Sequence, residues 1–145
     1  MTTDQQERPP SRRILLRVLV ALGLVSIGSG TAGIVGGPAA APGGEPANAS
    51  VDSEYRFVNT FWLAAGAILL WSLRRPEERT TATRGTLAVA AAGGLPRLVS
   101  WSRVGPPHPV FRATTVLELV VVPVVLWWHS RVIRPVRVRG VARSR

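Results

Sequence analysis

A chain of 145 residues that is 46% hydrophobic and still carries a formal net charge of +10 does not read as a soluble domain. Those two properties coexist when apolar spans are separated by charged loops. All 18 basic residues are arginine, and cysteine is absent, which excludes disulfides, thiol catalysis and cysteine-based zinc sites.

Residues 1–13 are polar and form an N-terminal segment ahead of the first apolar run, residues 14–35. Crossing the hydrocarbon core takes about 17–25 helical residues, and this run is long enough. The stretch SRRILLR (11–17) is similar to a twin-arginine export signal, with AAA (39–41) as a cleavage site. Signal h-regions span only about 7–15 residues, so the first span is expected to remain uncleaved. Within it, GSGTAG (28–33) matches the dinucleotide pattern G-x-G-x-x-G, and Asp52 lies near the distance of a ribose-binding acid. The context is wrong, because these glycines run into Pro38 and Pro42 instead of opening a helix that leads to a parallel strand. Ser26, Ser29, Gly30 and Gly33 read instead as small-x-x-x-small pairs that let a neighbouring helix approach closely.

A Pro/Gly/Ala-rich loop follows and contains NAS (48–50), a match to the N-glycosylation pattern of a kind common by chance. The second span, 55–73, opens inside DSEYRF (52–57). Asp52 or Ser53 is expected to cap this helix, and Glu54 to complement its dipole. Arg56 is a cation at the unfavourable end of that dipole and calls for an anion: Glu54, Glu118 or a lipid phosphate.

The loop RRPEERTTATR (74–84) leads to the third span, 85–102, with Pro96 and Arg97 about one turn inside its far end. The short SRVGPPHP (102–109) then makes the third and fourth spans antiparallel neighbours. Glu118 lies about 12 Å deep in the fourth span, 110–128, at 1.5 Å per residue. A carboxylate at mid-span costs about 2.5–3.5 kcal/mol on insertion scales, so it needs a partner or a use. Arg97 and Glu118 are expected at similar depth. The chain ends in a basic tail, residues 129–145, suited to anionic lipid.

Placing the N-terminus, the second loop and the tail on one side collects 14 of the 18 arginines there. The positive-inside rule then puts both termini in the cytoplasm. Tyr55, Trp62, Trp101 and Phe111 would form the outer aromatic belt, and Trp71, Trp127 and Trp128 the inner one. The expected fold class is an all-α integral membrane protein of the cytoplasmic membrane, a four-helix bundle with both ends inside. The bilayer is its partner; a homo-oligomer is compatible with the sequence. Nucleic acid is not expected, since the arginines do not form a basic face on a polar domain.

The remaining polar residues, Glu54, Arg56, Asn59, Arg97, Ser100, His108 and Glu118, are expected to cluster in the outer half of the bundle. Such a cluster either fixes helix register through ion pairs or forms a binding or proton-handling site. No catalytic constellation, cofactor or metal site is expected, His108 and His129 falling on opposite sides.

DSEYRF, GGLPRLVS (93–100), GPPHPVF (105–111) and LELVVVP (117–123), taken together, resemble the domain of unknown function 4345 family of small four-span bacterial membrane proteins. The resemblance covers about residues 15–128. It implies correspondence at Glu54, Arg56 and Phe57, at Gly94, Arg97 and Ser100, at Gly105, Pro107 and His108, and at Glu118. It also implies a helical fold and an envelope location, and carries no activity. Pro96 and the long basic tail depart from the family pattern.

Overall fold

The computed structural model describes residues 10–136, and every regular element among them is helical. Helix α1 is Pro10–Gly36, α2 is Ala49–Ser72, α3 is Thr80–Val104, and α4 is Pro109–Val132. A single 3₁₀ turn, Pro38–Ala40, shapes the first loop. At 27, 24, 25 and 24 residues, each helix is at least about 36 Å long. By length and composition together, α1 and α4 are apolar enough to cross a membrane. Most of the basic tail, and with it the expected lipid contact, lies outside the described residues.

Helix α2 begins six residues earlier than its apolar run. Its N-cap is Asn48, whose side-chain oxygen accepts from the Val51 amide at 3.0 Å. Asp52 and Ser53 are therefore inside the helix and do not cap it, and the acid in the first turn is Asp52, not Glu54. The cap is set by which short polar side chain reaches the free amides two or three residues on, and Asn48, just after Pro46, does so first. Replacing Asn48 with alanine should cost about 0.5–2 kcal/mol and accelerate amide exchange over the first turn of α2.

Consecutive helices pack antiparallel, and α4 also meets α1. The α1–α2 contact is the closest. A Cβ at Gly30 would lie 2.7 Å from the Leu63 nitrogen, and one at Gly66 would lie 2.6 Å from the Gly23 carbonyl oxygen. Backbone meets backbone there, as the small-residue pattern in α1 leads one to expect. Ser29 adds a hydrogen bond, its Oγ accepting from Trp62 Nε1 at 2.8 Å.

The apolar core sits toward one end of the bundle, the end that carries the start of α1 and the α2–α3 turn. Leu15, Leu19, Leu69, Leu87, Val122, Val125 and Ile133 are buried together. Polar groups are buried at that same end. The Ser72 and Thr83 hydroxyls are 2.8 Å apart, and the fully buried His129 accepts at Nδ1 from Arg84 Nε at 3.4 Å.

Helix α4 is not uniform. It widens into a π turn at Leu117–Val121, where the Val122 amide donates to the Leu117 carbonyl. Pro123 follows at once, and its ring would crowd the Leu119 carbonyl while offering it no N–H. A wider turn before the proline relieves that clash.

Candidate functional site

Glu118 lies in this π turn and is 2% exposed. Arg97 reaches it from α3, with Nε donating to Oε2 at 2.7 Å and Nη2 donating to Oε1 at 3.1 Å. Both carboxylate oxygens are held by one planar fork, the strongest geometry available to an ion pair. Gly94 makes the approach possible: a Cβ there would sit 2.5 Å from Leu119 Cγ and 3.3 Å from Glu118 Cβ. Pro96, inside α3 and one residue before Arg97, removes one helical hydrogen bond beside the pair. The Arg97 side chain is 38% exposed, and its guanidinium lies 5.9 Å from the centre of the Phe111 ring.

Arg56 does not join this pair. Its Nε and Nη2 donate to the two Asp52 oxygens at 2.7 and 3.1 Å, and its Nη1 donates to the carbonyls of Ile34 and Val35 at 2.5 and 3.0 Å. The Arg56 hydrogen bond holds the Asp52 carboxyl below the ordinary carboxylate range. Glu54, Glu118 or a lipid phosphate is thus replaced by Asp52 as the counter-ion. The physical reason is the antiparallel neighbour. Arg56 stands at the positive end of its own helix but at the negative end of α1, whose last turn has no basic residue of its own.

The same device recurs at the opposite end. Arg79 donates to the Trp71 carbonyl at the end of α2 at 2.7 Å, and Arg84 donates to the Ile133 carbonyl at the end of α4 at 2.9 Å. Arginine positions that the charge count assigns only to membrane orientation therefore also satisfy helix C-termini.

The other expected members of the cluster are dispersed. Asn59 faces Gly33 across the α1–α2 contact and donates to the Tyr55 carbonyl at 2.8 Å. His108 caps α4, its Nδ1 accepting from the Val110 amide at 3.3 Å, and it lies beside Gly43 of the first loop. Glu54 and Ser100 are exposed. What the structure brings together is one ion pair between α3 and α4, a second site between α1 and α2, and a helix cap. The buried polar group around Ser72, Thr83, Arg84 and His129 was missed in the sequence. Hydroxyls near a span end are too common to single out, and Arg84 counts there only as an inner-side charge.

Chemically, the Arg97–Glu118 pair is a satisfied ion pair whose acid is enclosed and whose base reaches the surface. Comparison with curated proteins and with solved structures finds no match. A family model does match, over residues 14–129, most of the chain and all four helices. The chain belongs to the family described as domain of unknown function (DUF4345).

Proposed function

We propose that this chain is a bacterial multi-pass protein of the cytoplasmic membrane with four spans, both termini in the cytoplasm, and a structural or accessory role without enzymatic activity. One observation carries the membrane reading. Large apolar side chains face outward on all four helices, for example Leu24, Phe61, Val89 and Val124, while Glu118, His129, Ser72 and Thr83 are buried. An apolar exterior around buried polar and charged side chains suits a surface solvated by lipid. Exposed Trp71 and Trp127 support an interfacial belt at the arginine-rich end, lying under Arg79 and Arg131 at 3.7 and 5.4 Å.

The orientation predicts that a reporter active only outside the cytoplasm is silent when fused to the C-terminus and active when inserted near Glu45. The reverse pattern would overturn it.

The structural role rests on the closed geometry of the Arg97–Glu118 pair, which leaves neither carboxylate oxygen without a donor. A second reading, a small binding or transport-like protein, draws support from the π turn under Glu118 and the half-exposed Arg97, since such turns recur at functional sites. Variants at Arg56, Arg97 and Glu118 separate the two readings when protein amount and thermal stability are measured beside complementation of a deletion strain. A structural role predicts that complementation tracks protein amount. A variant with wild-type amount and stability but no complementation would establish binding instead.

A further inference from the structure

At the end of the bundle opposite the Arg97–Glu118 pair lies a cavity of about 410 Å³, formed by α1, the α2–α3 turn and the chain after α4. Its walls are of two kinds. Leu16, Leu73 and Val136 are apolar, and Arg12, Arg74 and Arg75 bring guanidinium groups. Glu77 and Glu78 also line it, but Arg12 Nη2 donates to Glu77 and Arg75 Nη1 donates to Glu78 at 3.2 Å. Guanidinium donors remain to spare, and Arg12 and Arg74 show it most clearly. Arg12 is only 9% exposed, and its Nη1 is buried with no hydrogen-bond partner among the described residues. Arg74 is exposed, and its side chain makes no hydrogen bond or ion pair among the described residues. A buried donor without an acceptor costs on the order of 1–3 kcal/mol, so a structure that keeps one calls for an oxygen ligand.

We propose that this cavity takes the phosphodiester of an anionic phospholipid, with phosphate oxygens accepting from Arg12 and Arg74 and the glycerol end against Leu16 and Leu73. Among the described lining residues guanidinium groups outnumber carboxylates, a positive balance that suits an anionic headgroup. Arginine forks match phosphate oxygens in shape as well as charge. The volume falls within the range of about 300–1,000 Å³ typical of organic ligands and exceeds what a bare phosphate ion needs. Walls that combine guanidinium groups with apolar side chains favour a lipid over the free ion. Basic pockets between spans on the cytoplasmic side hold headgroups in this way. The site is separate from the basic tail, and its assignment rests on the membrane reading above.

The test is native mass spectrometry of the full chain in a neutral detergent, titrated with phosphatidylglycerol, with phosphatidylcholine and with sodium phosphate. Phosphatidylglycerol is expected to bind tighter than phosphatidylcholine. Arg74→Gln should weaken it about tenfold, the loss of one charge-assisted hydrogen bond, and Arg74→Glu should weaken it further. Arg103→Gln, an exposed arginine at the other end of the bundle, should leave binding unchanged. Equal affinity for the two lipids, or an equal loss from Arg74→Gln and Arg103→Gln, overturns the proposal. Displacement of phosphatidylglycerol by millimolar phosphate would reassign the site to the free ion and overturn the lipid assignment. Fractionation of the same variants keeps the two readings apart. Protein absent from the membrane fraction refutes the span assignment, whereas membrane-bound protein with unchanged lipid affinity refutes only this site.

Discussion

Reversing either charge of the Arg97–Glu118 pair alone will destabilise the protein by about 3–5 kcal/mol, and exchanging the two, Arg97→Glu with Glu118→Arg, will recover part of that loss. The size follows from burial. Glu118 is enclosed between α3 and α4 with both oxygens on the Arg97 fork, so losing the partner leaves a charge where water cannot reach it. The two sides are not equivalent. Arg97 is partly exposed and its long side chain can swing toward the surface, while Glu118 has no such escape. Arg97→Met is therefore expected to cost more than Glu118→Leu. A double-mutant cycle on thermal stability in detergent should give a coupling above about 1 kcal/mol, within the range of polar contacts between membrane helices. Losses additive within about 0.3 kcal/mol would mean that the pair contributes nothing as a pair.

The second large effect belongs to the α1–α2 contact. A methyl at Gly30 would meet the Leu63 nitrogen at 2.7 Å and its Cα at 3.0 Å, and neither backbone atom can rotate away. Gly30→Ala should therefore cost about 1–3 kcal/mol through overpacking, and Gly30→Val more. The natural control lies two residues earlier. A Cβ at Gly28 meets nothing within 4 Å, so Gly28→Ala should be neutral or stabilising by up to about 1 kcal/mol through helix propensity. Equal stability of the two alanine variants would show that the helices do not approach as closely as Gly30 requires.

Much of this architecture is legible in local pattern. Apolar runs and their breaks place the helices, most plainly α1 and α4, because a run of some twenty apolar residues has few stable alternatives to a helix that buries or lipid-solvates it. The short turn between α3 and α4 makes them antiparallel neighbours, and equal spacing from that turn puts Arg97 and Glu118 at one level. The small residues of α1 mark its contact face, since only they allow backbones to touch. These are consequences of spacing along one or two adjacent helices, and spacing is what a sequence records.

The remaining features depend on where a distant chain end arrives. Arg56 is bound by Asp52 and by the Ile34 and Val35 carbonyls because the C-terminus of α1 lies beside the N-terminus of α2. Nothing within DSEYRF specifies that neighbour. The dispersal of Asn59, Ser100 and Glu54 and the burial of His129 under Arg84 follow from how the helices rotate about their axes. So does the cavity, whose Arg12, Arg74 and Val136 come from three separate parts of the chain. Sequence by itself determined the helices, their adjacency and the level of the α3–α4 pair, because helical rise and loop length are local quantities. Tertiary structure alone decided which charge meets which partner, because a guanidinium takes whichever oxygens the packed helices place within about 3 Å of it.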